Sequence, residues 1–498
     1  MNLSELGVWM EQSLPEVLPA FLLQRRWFAG KARPIAGVEF EDAAWLPDEG
    51  RPCALVVVRV RDSVAEETSY ALLVAFDGDA ATLPVVGRVE QGGASAWVLE
   101  AATDARAALA LLRGFASSRA RGLPMLRGGR LRYHDAGDEV ARALDSASHV
   151  QQIGAEQSNT SLRIDRTLAF KLFRRLEGGE NPELEIGRFL ATHTTFRAMP
   201  LLRGALTYVP ALGLPATLGV LQDWIESRGD GWSHVVGLLR QRNDSASGAL
   251  QEEALSLGAT TESFHRALAT ADGQPTFAPE PATRADVDEW RQSVADRLLR
   301  AADLVARHMP AWPISSRSLG QAFVDRSRDP TVIGRLPDPE QSSSRFKKIR
   351  VHGDYHLGQT LRADRGFVLI DFEGEPARPL AERRSKQAAL KDIAGMLRSF
   401  DYAVEAALVE SGVREGEAPV AEVLRHRFLD GYRAAFAHSP AEFVPANPSA
   451  VDTWIDFFEM ERALYEVEYE INHRPTWVHI PLRGLVRIVG GRPEREEQ

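Results

Sequence analysis

The chain has 498 residues, which is too many for one ordinary hydrophobic core, so we expect two or three compact units. Hydrophobic residues make up 44% and charged residues 26% of the sequence, proportions typical of globular proteins, and the formal net charge of −10 argues against nucleic acid as the natural partner. The single Cys53 excludes a disulfide framework, and we find neither a secretory signal nor ~20 consecutive apolar residues, so we expect a cytoplasmic protein with no membrane partner.

Residues 1–100 predict a short helix followed by a small β-sheet domain. Two runs of β-branched and aromatic residues, 54–60 and 69–76, are bounded by Gly, Pro or Asp, as strands usually are. Trp27 and Phe28 are expected in the core, and nothing in this region has the pattern of a catalytic site. An Ala- and Leu-rich face then predicts one helix over residues 103–117.

A polar loop, residues 154–161, separates two short strand patterns at 149–153 and 161–164. It offers small side chains that, together with backbone N–H groups, could hold phosphate oxygens. These residues are Gln157, Ser158, Asn159, Thr160 and Ser161. The loop lacks the repeated glycines of a nucleotide-binding fingerprint, so a plain polar hairpin tip is the alternative.

Lys171 lies between Phe170 and Leu172 in the apolar strand pattern 168–173, so its side chain is expected on the opposite face from theirs. It could extend to solvent at a sheet edge, or it could direct its charge at the α- and β-phosphates of a nucleotide. The second role needs an acid that orients the ammonium group. A helix beginning at Asn181 and Pro182 carries two such acids, Glu183 and Glu185.

The strand pattern 217–225 runs into residues 226–231, which have the composition of a hinge. Gln222, Asp223 and Trp224 are, by position alone, candidates for binding a nucleotide base through their backbone groups. From residue 232 onward the patterns are mainly helical, at 232–242, 252–269, 287–308, 391–410 and 420–436. Exposed connections are predicted at 270–283 and 325–344.

The loop 351–359 combines polar residues with two glycines and is followed by an apolar strand that ends on Asp371. Gln359 is the fifth residue after Asp354, the spacing between the catalytic Asp and the metal-binding Asn of protein kinases, and Asp371 stands where their second metal-binding Asp stands. Gln359 and Asp371, with Glu373 as a further candidate, offer the oxygen ligands that Mg²⁺ prefers. Asp354 is then left to accept a hydroxyl proton. A polar turn explains each residue alone, but the complete spaced set favours a phosphoryl-transfer site.

Several nearby groups could contact the molecule that receives the phosphoryl group. His356 could touch this acceptor or only line the cleft, and Glu375 and Arg378 could approach it or form an ion pair with each other. The last long helix begins at Asn447 and continues to about residue 472, with a core face followed by polar and aromatic groups that suit a sugar. These groups are Tyr465, Glu468 and Tyr469, for which a half-exposed amphipathic helix is the alternative.

Several stretches together resemble the maltokinases, relatives of the aminoglycoside phosphotransferases within the eukaryotic-like kinase fold. They are residues 26–31 (Arg-Trp-Phe-Ala-Gly-Lys), 156–161, 181–185, 352–359, 370–380, 465–470 and 473–475, so the resemblance runs nearly the length of the chain. It implies an α+β fold, bilobal and protein-kinase-like, with a β-rich N-terminal cap subdomain at 1–100, an N-lobe at 101–226 and a mainly helical C-lobe at 227–498. It also implies that Glu185 pairs with Lys171, that Arg474 joins the acceptor wall, and that the cap is a lid or an interaction surface.

The activity that this resemblance implies is transfer of the γ-phosphoryl group of ATP, with Mg²⁺, to the anomeric hydroxyl of maltose. The product, maltose 1-phosphate, would feed α-glucan (glycogen) synthesis, with a trehalose synthase as a partner. A kinase for another sugar, such as glucosamine or an aminoglycoside, is the near alternative. A non-catalytic kinase-fold scaffold is more remote, because Lys171, Asp354, Gln359 and Asp371 are all present.

Overall fold

The computed structural model describes residues 2–47, 50–79, 83–91, 94–117, 122–134, 136–154, 158–241, 243–270, 273–329, 332, 337, 345–410 and 418–490. The chain forms two compact units, one made of Met1–Ala191 with Pro200–Ile225 and the other of Thr192–Met199 with Glu226–Gln498. Among the described residues, no helix is both long and apolar enough to span a bilayer. The further division of the first unit into cap and N-lobe stays a prediction.

The first unit begins with two helices packed on an antiparallel sheet. The helices are α1 Leu3–Gln12 and α2 Leu14–Gln24, and the strands are β1 Ile35–Trp45, β2 Cys53–Asp62, β3 Glu67–Asp77, β4 Val85–Gln91 and β5 Ala94–Glu100, in the order β1-β2-β3-β5-β4. Strand β2 is apolar on both faces: Val56 and Val58 join a core with the helices, whereas Leu55 and Val57 join the core on the opposite face. Trp27 and Phe28 are buried, as predicted.

A second antiparallel sheet completes the first unit. Its elements are α3 Ala105–Leu112, α4 Gly114–Ser117, β6 Leu123–Pro124, β7 Arg130–His134, α5 Asp138–Ser146, β8 Val150–Gln152, β9 Asn159–Ile164, β10 Leu168–Phe173, β11 Arg175–Leu176, α6 Pro182–His193, β12 Leu202–Val209 and β13 Ala216–Asp223. The strand order is β6-β7-β12-β13-β10-β9-β8, so β10 is a central strand, and β11 leaves this sheet to pair with β3 of the first.

The prediction of a single helix over 103–117 is wrong, because this stretch forms two helices, α3 and α4. Gly114 stands at the break, where glycine is a poor helix former. A Cβ on Gly114 would lie 2.4 Å from the Tyr133 hydroxyl oxygen, so the residue must stay small where this ring packs.

The second unit is mainly helical. Its helices are α7 Gly231–Leu239, α8 Asp244–Leu268, α9 Arg284–His308, α10 Ile314–Ser327, α11 Leu380–Arg383, α12 Leu390–Glu410, α13 Ala418–Arg433, α14 Pro448–His473 and α15 His479–Val489. Two short hairpins accompany them, β14 Glu280–Pro281 with β15 Lys347–Lys348, and β16 Thr360–Ala363 with β17 Gly366–Leu369. The helices expected near 232–242, 252–269, 287–308, 391–410 and 420–436 are confirmed with shifted ends.

Helix α10 was not predicted, and its last residues occupy the start of the connection expected at 325–344. Most of the remaining connection lies outside the described residues. The buried residues of α10 include two large apolar side chains, Phe323 and Val324. The other buried residues, Ser316, Gly320 and Ser327, are small. Its sequence therefore shows little apolar periodicity.

Candidate active site

The hairpin of β16 and β17 brings Gln359 and Asp371 together. The N–H of Ile370 donates to the Gln359 carbonyl oxygen at 3.1 Å, and Gln359 Nε2 donates to Asp371 Oδ2 at 3.1 Å. Asp371 has a left-handed backbone, with a φ of 68°, a conformation that costs of order 1–3 kcal/mol in a non-glycine residue and is frequent at functional sites. The amide and the carboxylate that were predicted to bind a metal are therefore neighbours.

Asp392, near the start of α12, holds the backbone of the loop predicted to carry the base. Its Oδ2 accepts the N–H of His352 at 2.8 Å, and its Oδ1 accepts the N–H of Gly353 at 3.0 Å. His265 Nε2 donates to Asp392 Oδ2 at 3.1 Å, while His265 Nδ1 lies 3.0 Å from the Tyr432 hydroxyl oxygen. Burial alone would raise the pKa of Asp392, but the hydrogen bonds from His265 and from the His352 backbone outweigh burial, and the pKa lies below its usual value.

His352 and Gly353 join this loop to the strand that ends on Asp371. His352 Nε2 donates to the Ile370 carbonyl oxygen at 2.9 Å, so His352 braces the loop. Gly353 has a φ of 83°, and a Cβ there would lie 3.3 Å from the Cα of Gly374. Glycine thus permits both the backbone conformation and the close approach of the two segments.

Arg462, on α14, contacts the predicted base. Its Nη2 lies 3.3 Å from Asp354 Oδ1, and its Nε lies 3.8 Å from Glu466 Oε1. Glu466 Oε2 in turn accepts from Nη2 of the buried Arg398 at 2.8 Å. Burial alone would lower the pKa of Arg462, but Asp354 and Glu466 raise it above its usual value, so the guanidinium stays charged. A line of alternating charges therefore ends at Asp354.

His356 lies beside the same carboxylate. Its Nδ1 accepts the Gly358 N–H at 3.1 Å, so the neutral imidazole carries its proton on Nε2, which lies 3.9 Å from Asp354 Oδ2. Burial lowers the pKa of His356 below its usual value, and the charge of Asp354 offsets burial only in part. At neutral pH the imidazole is thus uncharged. Its contact with an acceptor stays a prediction.

A cavity of about 490 Å³ opens beside Asp354, within the size range of small-molecule sites. Its walls carry both cations and carboxylates, among them Arg297, Asp354, Glu375, Arg378, Lys391, Glu461, Arg462 and Tyr465. Two of the carboxylates already have partners. Arg378 Nε lies 2.8 Å from Glu375 Oε2, and Lys391 Nζ lies 3.4 Å from Glu461 Oε2. Glu375 and Arg378 therefore form the ion pair that the sequence left open, and both also line the cavity.

The residues predicted to form an acceptor wall on α14 differ in their relation to this cavity. Tyr465 lines the cavity, but Glu468, Tyr469 and Arg474 are not among the described residues that do so. Arg474 instead donates to both carboxylate oxygens of Glu470, at 3.0 and 2.7 Å, and its guanidinium lies 5.4 Å from the ring centre of Tyr469. The ring of Tyr469 also stacks on that of Tyr465, with centres 6.5 Å apart. The contact of Glu468, Tyr469 and Arg474 with an acceptor stays a prediction.

In the first unit, Lys171 lies on β10 directly opposite Ser161 of β9. Lys171 Nζ is 3.8 Å from Glu183 Oε2, and Glu183 Oε1 accepts from Gln222 Nε2 at 3.0 Å. Lys171 is therefore paired with Glu183, one of the two acids that the sequence left open. The pairing of Lys171 with Glu185, which the resemblance implies, stays a prediction.

The residues of the predicted phosphate loop divide between two faces. Gln157 lies outside the described residues, and Ser158 is exposed. Because side chains alternate along β9, Asn159 and Ser161 share the face of Lys171. Their contact with a phosphate stays a prediction.

Thr160 belongs to the opposite face, and its prediction as a phosphate contact is corrected. It is 3% exposed, and its Oγ1 accepts from Arg174 Nε at 2.8 Å. The reason is that β9 begins at Asn159, before the strand expected from Ser161. The alternation therefore already applies at Thr160 and turns its hydroxyl inward.

The predicted base-binding segment uses two of its backbone donors inside the sheet. The Asp223 N–H donates to the Leu201 carbonyl oxygen at 2.9 Å, and the Trp224 N–H donates to the Thr167 carbonyl oxygen at 2.8 Å. The Asp223 carboxylate accepts two hydrogen bonds from Arg203, at 2.6 and 2.8 Å. These two N–H groups are therefore engaged within the protein, and the binding of a base by other backbone groups of this segment stays a prediction. The Gln222 side chain is engaged by Glu183, as described above.

Comparison with known proteins gives a family match inside the first unit. Residues 21–104 match the model of the maltokinase N-terminal cap domain. A glucosamine kinase of Streptacidiphilus jiangxiensis is 28% identical over 347 residues, which cover 68% of this chain and 73% of that protein. A glucosamine kinase of Mycolicibacterium smegmatis is 27% identical over 354 residues, covering 70% and 81% respectively.

A solved glucosamine kinase structure aligns with a TM-score of 0.65 at 23% identity, over 95% of this chain and 97% of that one. Another, described as a complex with glucosamine, ADP and inorganic phosphate, aligns with a TM-score of 0.64 over 96% and 99%. The chain is thus similar to glucosamine kinases over most of its length and to the maltokinases in its cap region. The expected α+β kinase fold class, with its β-rich N-terminal region, is confirmed.

The oxygen ligands of the candidate site fit Mg²⁺ when the phosphates of a nucleotide supply further ligands. Among the described residues, no group of three His, Cys, Asp or Glu side chains could hold a metal ion by itself. Mg²⁺ in kinases, however, keeps several waters and binds one or two carboxylates together with substrate phosphates. Asp371 and the amide oxygen of Gln359 match that need. Glu373, the third predicted ligand, is 7% exposed, and its role stays a prediction.

Two residues that hold the candidate site in place were not predicted from the sequence. Asp392 and Arg462 lie on long helices, where nothing in their local pattern separates them from ordinary polar positions. An acid in the first turn of a helix is common at helix N-termini, so the position of Asp392 gave no signal of its burial.

Proposed function

We propose that this protein transfers the γ-phosphoryl group of ATP to a hydroxyl group of a sugar. The observation that carries the proposal is the arrangement around Asp354: a carboxylate on a loop fixed by Asp392, open to a cavity, with Gln359 and Asp371 adjacent on the following hairpin. Asp354 would accept the proton of the sugar hydroxyl, and Lys171 would neutralise phosphate charge. Mg²⁺, held by Gln359 and Asp371, would offset charge on the phosphates.

The charges at the cavity support an acceptor without its own positive charge. An ammonium group placed near Asp354 would also lie near the Arg462 guanidinium, which is 3.3 Å from that carboxylate. Glu375 and Glu461, which could otherwise bind an ammonium, are paired with Arg378 and Lys391. Together with the match to the maltokinase cap domain, this favours maltose, phosphorylated at its anomeric hydroxyl to maltose 1-phosphate.

Glucosamine is the second candidate acceptor. It is favoured by the two curated relatives, which are glucosamine kinases and align over 68% and 70% of this chain. Two of the carboxylates that line the cavity, Glu375 and Glu461, could rearrange to face an ammonium group. A role in α-glucan synthesis, a trehalose synthase partner and a cytoplasmic location stay predictions.

The test is ADP release measured with maltose, glucosamine and glucose side by side at equal MgATP, with the position of the new phosphate determined by ³¹P NMR. A kcat/KM for maltose at least about tenfold above that for glucosamine supports the neutral-sugar proposal. The reverse order would transfer the assignment to glucosamine. ADP release that no added sugar accelerates would overturn the proposed sugar kinase activity.

A further inference from the structure

The side of β10 that faces away from Lys171 carries a buried arginine that the proposed chemistry does not use. Arg174 directly follows β10 and precedes β11, and it is 1% exposed. A buried guanidinium is uncommon in proteins unless hydrogen-bonding partners are arranged around it. Its partners therefore show what it holds together.

One partner belongs to the strand that leads out of the predicted phosphate loop. Arg174 Nε donates to Thr160 Oγ1 at 2.8 Å. Thr160 is the second residue of β9, two positions after Ser158, and its neighbours Asn159 and Ser161 share the face of Lys171. Because Arg174 holds Thr160 on the opposite face of β9, it also holds in place the strand that presents Asn159 and Ser161.

The other partners belong to the region matched by the cap-domain model. Arg174 Nη2 donates to Glu100 Oε1 at 2.7 Å, and the guanidinium lies 5.0 Å from the ring centre of Trp27. The Arg174 carbonyl oxygen also accepts the N–H of Ala71, on β3, at 2.8 Å. Trp27 belongs to the Arg-Trp-Phe-Ala-Gly-Lys stretch at 26–31. No residue of this stretch takes part in the proposed reaction.

We propose that Arg174 is a positioning residue through which the cap sets the nucleotide site, with Glu100 and Trp27 holding one side of its guanidinium and Thr160 the other. The planar fork of arginine can engage separate partners in fixed directions, so a shift of the cap strands moves the start of β9. The ligand affected is a nucleoside di- or triphosphate. This inference rests on the proposed function, because it assumes that the Lys171 face of the sheet binds a nucleotide.

The experiment measures the affinity of the full-length protein for MgADP by calorimetry, which needs no sugar. Thr160→Val keeps the shape of the side chain but removes the acceptor of Arg174 Nε, and we expect MgADP to bind at least about tenfold more weakly. Thr160→Ser restores the hydroxyl and should bind within about twofold of the wild type. Glu100→Gln should also weaken MgADP binding, while the KM of the sugar changes by less than about twofold.

Val56→Ala provides the matched control. Val56 is fully buried on β2, in the core of the same sheet, and is not a partner of Arg174. This variant should lower the melting temperature but leave the MgADP affinity within about twofold. The positioning role is overturned if Thr160→Val leaves the MgADP affinity intact, or if Val56→Ala weakens it equally. Wild-type protein that binds MgADP but phosphorylates no sugar would overturn the proposed acceptor alone, whereas failure to bind MgADP would overturn both proposals.

Discussion

The guanidinium of Arg462 lies 3.3 Å from the carboxylate of Asp354, although 108 residues separate the two in sequence. The contact places a fixed positive charge where the acceptor hydroxyl must be deprotonated. It therefore acts on the base and on any charge that the acceptor carries.

Arg462→Gln should shift the preference of the enzyme toward amino sugars. Without the guanidinium, an ammonium group near Asp354 meets less repulsion, and the ratio of kcat/KM for maltose to that for glucosamine should fall at least about tenfold, equivalent to about 1.4 kcal/mol. Arg300→Gln, an exposed position on α9, controls for the general loss of one positive charge. An unchanged ratio in Arg462→Gln would mean that this charge does not select the acceptor.

Asp354→Asn should separate nucleotide binding from turnover. The amide cannot accept the hydroxyl proton, so kcat should fall by about 10²–10⁴-fold, the usual contribution of a general base. MgADP affinity should stay within about twofold, because Asp354 is not a predicted nucleotide ligand. Single-turnover phosphorylation and calorimetry measure the two quantities. Near-normal turnover would remove Asp354 from the role of base.

Glu183→Gln should weaken ATP binding more than Glu185→Gln. Glu183 Oε2 lies 3.8 Å from Lys171 Nζ and Glu183 Oε1 accepts from Gln222 Nε2, so Glu183→Gln removes a carboxylate charge that holds the lysine. We expect the KM of ATP to rise about tenfold for Glu183→Gln and at least about fivefold less for Glu185→Gln. Both acids are buried on the same helix, so each is the control for the other. A larger rise in the KM of ATP for Glu185→Gln than for Glu183→Gln would identify Glu185 as the acid that orients Lys171.

Local patterns were enough for part of this site. Alternation alone placed Lys171 opposite its apolar neighbours, and spacing alone selected Gln359 and Asp371, which the hairpin brings within 3.1 Å. The prediction for Thr160 was wrong because β9 begins two residues before the strand expected from Ser161, so the alternation of side chains already applies to Thr160 and turns its hydroxyl away from the face of Lys171. The role of Arg462 could not be predicted from its neighbours in the sequence, because only the packing of α14 brings its guanidinium close to Asp354.

Asp371→Asn should raise the Mg²⁺ requirement while leaving the fold intact. Asn tolerates the left-handed backbone that Asp371 adopts and can still accept from Gln359, but it lacks the negative charge that binds the metal. The Mg²⁺ concentration for half-maximal activity should rise at least about tenfold, with little change in melting temperature. Asp364→Asn, an exposed acid at the turn of the same hairpin, should change neither. A normal Mg²⁺ titration in Asp371→Asn would assign the metal to other ligands.

Asp392→Asn should lower both stability and turnover, with a defined pH dependence. The Asp392 carboxylate accepts from His265 and from two backbone N–H groups, and an amide leaves at least one of these buried donors poorly paired. We expect the free energy of unfolding to fall by about 3 kcal/mol at pH 7 and kcat to fall at least about tenfold, because the loop that carries Asp354 loosens.

The sign of the pH effect follows from the lowered pKa of Asp392 in the folded protein. A carboxyl group with a depressed pKa contributes stability above its unfolded pKa of about 3.9, and this contribution is lost as the pH falls toward the folded value. The stability difference between wild type and Asp392→Asn should therefore be constant from pH 7 to about 5 and shrink below about 4. Urea unfolding at each pH measures it. Asp303→Asn, an exposed acid on α9, is the control, and a difference that grows as the pH falls would contradict the assignment.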